Sequence, residues 1–230
     1  MPRTTFQSSI HGYHFRNGDI RWSHGMMNGT QLCGGLAFGS LDHYYFRVPI
    51  PSVWDPPEEG TPIHNYIVSR QMDAHRFAIP RLITGDGRFR GDSFEASLRE
   101  DQNFGVVKRM IDGGRPVPIL LSSATNSLST RSHWVVATGY ESLAGSTFGC
   151  PIFSKLYLYD SNRPNIESEF HPDWASRTFK IQGSRSEYGL YAPYDAYQAM
   201  NPTAAAMSRT PSVTGLAANP FNLPPIDRTR

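Results

Sequence analysis

The chain has 230 residues, 39% of them hydrophobic and 12% aromatic, which is enough apolar material for a core and argues against a disordered protein. A net charge of +2 with no basic run argues against a dedicated nucleic-acid binder. Two cysteines and no C-x-x-C pair make neither a disulfide framework nor a zinc or redox motif.

The first 30 residues are polar and aromatic with scattered histidines, and read as loop or extended structure. They contain no apolar stretch of the secretory kind, and nowhere do 18 apolar residues run together to span a membrane. The cytoplasm is therefore the default compartment, with export by a signal-less route left open. From Gly34 to Phe46 the apolar residues Leu36, Ala37, Leu41, Tyr44 and Tyr45 recur at spacings of three and four, the pattern of one helix face. The proline-rich stretch RVPIPSVWDPPEEGTP is a loop. A second helix is predicted from about Pro62 to His75, with the proline in its first turn.

DSFEASLREDQNFGVVKRMIDGGRP predicts one or two more helices, the last ending at Gly113 and Gly114, which can supply a left-handed cap. The chain then changes character. VPILLSS, HWVVATGY, KLYLYDS, RTFKIQG and YGLYAP are short apolar or alternating runs separated by turn residues, and read as strands. Helices followed by strands predict an α+β fold with a mostly antiparallel sheet. The helical part covers about 1–114 and the sheet part about 115–200. From 201 to 230 the composition shifts to Ala, Pro, Ser, Thr and Asn, and reads as a tail, flexible or draped over the surface.

Cys33 stands at the entrance of the first long helix. There, unsatisfied backbone N–H groups and the positive end of the helix dipole favour a thiolate. Gly34 and Gly35 leave the approach uncrowded, so that a substrate carbonyl can near the backbone amides, which are oxyanion donors in waiting. Three other roles compete for Cys33: a buried structural cysteine, one half of a disulfide with Cys150, or a metal ligand.

A thiolate needs a base. His43 is on the same helix but about 15 Å along its axis. His64 and His75 fall in a segment that reads as a surface helix. His133 opens the apolar strand HWVVATGY, where an unpaired polar ring would be costly. The next strand ends in Asp160. Pairing Val135 with Leu158 in an antiparallel hairpin puts His133 opposite Asp160 on one face. The carboxylate there can orient the imidazole, and Asn162, two residues on, offers the same service. The plainer alternatives are a structural histidine at 133 and ordinary turn chemistry in the Asp160-Ser-Asn segment.

The order helix-Cys, strand-His, strand-Asp, carried by QLCGGLAFGSLDHYY, SHWVVATGYES and KLYLYDSNRPN, resembles the papain-like cysteine peptidase superfamily. The wording is nearest the compact branch that includes bacteriocin-processing peptidases. The resemblance covers about residues 28–165. It implies a papain-like fold with a helical insertion, and a Cys33-His133-Asp160 triad that works through an acyl-enzyme without cofactor or metal. It also implies a glutamine five or six residues before the cysteine as an oxyanion donor. Met27 and Asn28 stand there instead, which makes Asn28 the candidate donor, against its plainer reading as a turn residue; Gln31 is too close.

The function so implied is a thiol-dependent hydrolase, a peptidase or amidase, acting on a peptide or protein substrate, with no nucleic-acid partner. The alternatives are a catalytically silent binding module of the same fold and a toxin-like deamidase or acyltransferase. Outside this constellation, His11, His14, His24 and Asp19 have no familiar metal-ligand spacing. The HPDW segment at His171 and the TGDGRFRGD segment read as turn and loop.

Overall fold

A computed structural model describes residues 1–24, 27–29, 31–84, 94–123, 132–143 and 151–202. The chain begins with a short helix α1 (Ser8–His11), a single 3₁₀ turn (Asn17–Asp19) and a hairpin of β1 (Trp22–His24) and β2 (Met27–Gly29). The stretch read as loop thus carries a little regular structure. The helices follow: α2 (Cys33–Phe46), α3 (Pro62–Thr84), α4 (Phe94–Leu98) and α5 (Asn103–Asp112). Six strands complete the fold: β3 (Val117–Ser123), β4 (His133–Leu143), β5 (Ile152–Tyr159), β6 (Glu167–Asp173), β7 (Thr178–Ile181) and β8 (Glu187–Pro193).

The six strands close into an antiparallel barrel in sequence order, β8 pairing back onto β3. The fold is therefore α+β with an antiparallel sheet. Closure is possible because every strand neighbours the next in the chain, and it leaves no open sheet edge. Strand β6 has no counterpart among the predicted strands. Its Ser168 and Phe170 are buried while flanking positions carry Glu167, Glu169 and Pro172, so its period-two signal is short and masked by charge. His171, Pro172 and Asp173 belong to this strand; only Trp174 of HPDW lies in the turn after it.

Alternate strand residues, among them Ile119, Leu121, Val135, Ala137, Leu158, Phe170, Phe179 and Tyr191, fill the barrel together with Phe104 and Ile111 of α5. The opposite faces of β3, β4 and β5 present Leu120, Trp134, Val136 and Tyr159 to α2, where they meet Ala37, Phe38 and Leu41. A third cluster joins Leu32 and Leu36 to Tyr66, Ile67 and Met72 of α3 and to Tyr13, Phe15 and Ile20 of the N-terminal segment.

Helix α2 is thus sandwiched, and every residue from Cys33 to His43 is buried. Its one-sided pattern in the sequence understates this, because glycine and serine occupy the positions of closest approach. A Cβ on Gly35 would lie 2.2 Å from the Ile67 carbonyl oxygen, and one on Gly34 2.5 Å from Ala74 Cβ. The glycines after the cysteine therefore admit α3 rather than clearing a path for substrate. Helix α3 is correspondingly not the surface helix expected: His64 is buried, with Nε2 donating to the Arg21 carbonyl, and the helix runs nine residues beyond His75 to Thr84. Gly114 takes the left-handed conformation after α5, as its sequence position predicts. The TGDGRFRGD segment from residue 85, Cys150 and the tail from residue 203 lie outside the described residues.

Candidate functional site

Cys33 is the first residue of α2, a free thiol with 7% of its surface exposed. The His133 side chain and the backbone N–H groups of Gly34 and Trp134 lie around its sulfur, near enough to act on the charge of the thiol. His133 opens β4, and Asp160 directly follows β5. Both share parity with the barrel-filling residues Val135 and Leu158, so both point inward at one mouth of the barrel, where the helix tip arrives.

The register differs from the expected one by two residues. Val136 pairs with Tyr159 and Ala137 with Leu158, so Asp160 stands diagonal to His133 rather than opposite. A shift of two preserves the face, and the diagonal is within reach of an imidazole. His133 Nε2 lies 2.7 Å from Asp160 Oδ1, with both side chains buried. With Nε2 engaged by the carboxylate, Nδ1 is the nitrogen left for the sulfur. The backbone N–H of Asn162 donates to the same Asp160 oxygen at 2.8 Å, and the Asn162 side-chain nitrogen is 3.2 Å from His133 Nε2.

The electrostatics of the three groups interlock. Burial opposes a thiolate, but the hydrogen bond and charge of His133 and the two backbone donors outweigh it and hold the Cys33 thiol below its ordinary value. Burial likewise opposes a charged His133, and the Asp160 carboxylate, followed by Cys33, overcomes it and raises the imidazole to about 10. Asp160, despite its own burial, is held below the usual carboxylate range by His133 and the Asn162 amide. The state this favours is a thiolate–imidazolium pair backed by a carboxylate.

Three residues that sequence reasoning missed complete the surroundings. Gln71 on α3 accepts the Gly35 N–H at 2.9 Å, capping one of the unsatisfied amides at the helix start, and its own amide nitrogen is 2.9 Å from His75 Nε2. Tyr188 on β8 lies in the barrel within the fields of Asp160 and Cys33; its burial and those charges push its phenol up to about 12. Asn17, fully buried, joins the residue before Cys33 to the turn after Asp160. No local signal marks them, since a glutamine mid-helix, a strand tyrosine and an Asn-Gly turn are all commonplace.

The other candidates lie elsewhere. Asn28 sits in β2 opposite Ser23, and its side chain is outside what the structure describes. His43 is at the far end of α2, its Nδ1 3.1 Å from the Val48 carbonyl oxygen. His11 Nδ1 accepts the Gln7 N–H, and His14 stacks on Trp54 and meets Asn165. Among the described residues no group of three or more His, Cys, Asp or Glu side chains is placed to hold a metal ion, and no helix is long and apolar enough to cross a membrane. Compared with protein-family models, curated proteins and solved structures, the chain matches none.

Proposed function

We propose that the protein is a thiol-dependent hydrolase of papain-like architecture, a peptidase or amidase acting through Cys33, His133 and Asp160. The observation that carries this reading is the meeting of three residues from three separate elements: a cysteine at a helix tip, an imidazole whose field reaches it, and a carboxylate 2.7 Å from that imidazole. A buried charged pair is costly unless its members are partnered, and a structural role would be met more cheaply by apolar residues.

In this mechanism His133 takes the thiol proton and holds it at Nδ1, while Asp160 accepts from Nε2–H and keeps the ring in place. The thiolate attacks a substrate carbonyl. The Cys33 backbone N–H is the donor assigned to the developing oxyanion. The imidazolium then protonates the departing amine, leaving an acyl-enzyme. Water, deprotonated by His133, releases the acid; an amine in its place would give acyl transfer.

Iodoacetamide alkylation of Cys33 against pH tests the pair. Reaction that is already fast well below pH 8, and abolished by Cys33→Ala, is expected; a thiol that titrates near its free value of about 8.5 would overturn the reading. Peptide and protein mixtures incubated with the wild type and the Cys33→Ala variant, and read by mass spectrometry, then separate peptide cleavage from release of ammonia. The small exposure of Cys33 favours a second reading, a silent binding domain of the same architecture. An alkylating thiol with no turnover on any substrate would support that one.

A further inference from the structure

Asn17 sits in the 3₁₀ turn of the N-terminal segment, 16 residues before the cysteine, and its side chain is fully buried. Its Oδ1 accepts the N–H of Leu32, the N-cap residue of the cysteine helix, at 2.6 Å. Its Nδ2 donates to Asn162 Oδ1 at 3.2 Å, and its backbone N–H donates to the Ser161 carbonyl at 2.9 Å. One buried amide therefore ties the start of α2 to the turn that follows the carboxylate.

The chemistry of amides fixes the direction of this chain. Leu32 offers an N–H, so the Asn17 oxygen must face it. The Asn17 nitrogen then faces Asn162, whose oxygen must be the atom that accepts. The Asn162 nitrogen is thereby left on the His133 side, 3.2 Å from Nε2, while its backbone N–H supports Asp160 Oδ1 at 2.8 Å. Cys33 and Asp160 belong to elements that do not adjoin in sequence, and their relative placement is what lets one imidazole serve both.

We propose that Asn17 is a positioning residue: it locks the tip of the cysteine helix to the Asp160 turn and so sets the alignment of Cys33, His133 and Asp160. This rests on the thiol chemistry proposed above. The titratable and charged groups facing the pair are Asp160 after β5, Arg163 in the same turn and Tyr188 on β8, and none of them is in the Asn17 chain of hydrogen bonds. Loss of the lock lets the helix tip and the turn drift apart, and a misplacement of about 1 Å at reacting groups is costly.

The test is the pH dependence of Cys33 alkylation by iodoacetamide in the full chain carrying Asn17→Ala, Asn162→Ala, or both. The expected result is a midpoint raised by about one pH unit, a rate at pH 6 lowered about tenfold, and a double variant no worse than Asn17→Ala alone. A folded Asn17→Ala protein that keeps the wild-type midpoint, even with a lower melting temperature or a uniformly slower reaction, overturns the proposal. Asn162 is only partly buried, so if Asn17→Ala does not fold, a wild-type midpoint in Asn162→Ala overturns it instead. A wild-type thiol inert at every pH would overturn both this proposal and the hydrolase reading, whereas a reactive wild type confines failure to the lock.

Discussion

Gly35 donates its backbone N–H to Oε1 of Gln71 over 2.9 Å, so the first turn of the cysteine helix is capped by a side chain from the neighbouring helix rather than from its own leading residues. Leu32, at the N-cap position, has no side-chain oxygen to offer. Removing Gln71 leaves a buried N–H without an acceptor. Gln71→Ala is expected to lower stability by about 1–3 kcal/mol, measured by urea unfolding. A loss within a few tenths of a kcal/mol would mean that water or another group satisfies Gly35.

The same contact excludes a side chain at residue 35. Because a Cβ there would sit 2.2 Å from a backbone carbonyl oxygen of α3, which cannot swing aside, Gly35→Ala should force the two helices apart. The expected cost is about 1–3 kcal/mol despite the better helix propensity of alanine. Unfolding midpoints of Gly35→Ala and of wild type decide it, and a stabilised variant would refute the packing argument.

Asp160 controls the charge state of the pair. Its carboxylate is the main influence raising His133, and His133 in turn lowers Cys33. Asp160→Asn should therefore raise the midpoint of Cys33 alkylation by about one to two pH units toward a free thiol. An unchanged midpoint would show that the backbone donors from Gly34 and Trp134 suffice by themselves.

The ion pair also makes stability depend on pH. Asp160 is lowered on folding, so its contribution is present above the unfolded value of about 3.9 and is lost as pH falls through the folded one. His133 is raised, so its contribution is complete below about 6.5 and is lost as pH rises toward about 10. In a Cys33→Ala background, which removes the titration of the thiol, adding Asp160→Asn should cost most near pH 5.5 and least near pH 10.5. Urea midpoints at the two pH values check this, and a difference independent of pH would contradict it.

Asp42, on α2, is buried and accepts from the hydroxyls of Tyr66 and Tyr197 and from the Met200 N–H at 2.7 Å, with Arg70 Nε 2.7 Å away. This carboxylate binds the segment after β8 to both long helices. Asp42→Ala leaves the buried Arg70 guanidinium with only Asp73 as a carboxylate partner and should cost more than Tyr197→Phe, for which about 1 kcal/mol is expected. Thermal or urea unfolding that ranks the two in reverse would show that the tyrosine, not the ion pair, anchors the segment.

Much of the local structure was legible in the chain. The cysteine helix, the paired glycines after α5 and five of the six barrel strands follow from periods of three to four or of two and from turn residues. That His133 and Asp160 share one face was also legible, since parity along a strand survives a register error of two. The register itself was not, because it depends on how β4 and β5 twist into a closed barrel. Strand β6 was hidden by Pro172 and by Glu167 and Glu169, whose outward positions only the barrel makes acceptable.

By itself the sequence determined which residues carry reactive groups and which face of its own element each occupies, because backbone geometry repeats at short range. The tertiary structure alone decided who meets whom. The helix tip, the barrel mouth, Gln71 from α3 and Asn17 from the N-terminal turn come together only because two apolar clusters bury α2, one against the barrel and one against α3 and the N-terminal segment. Gly34 and Gly35 show the same division. Their lack of a side chain is plain in the sequence, but whether it makes room for a substrate or for a helix is settled by the 2.2 Å that would separate a Cβ on residue 35 from the Ile67 carbonyl oxygen.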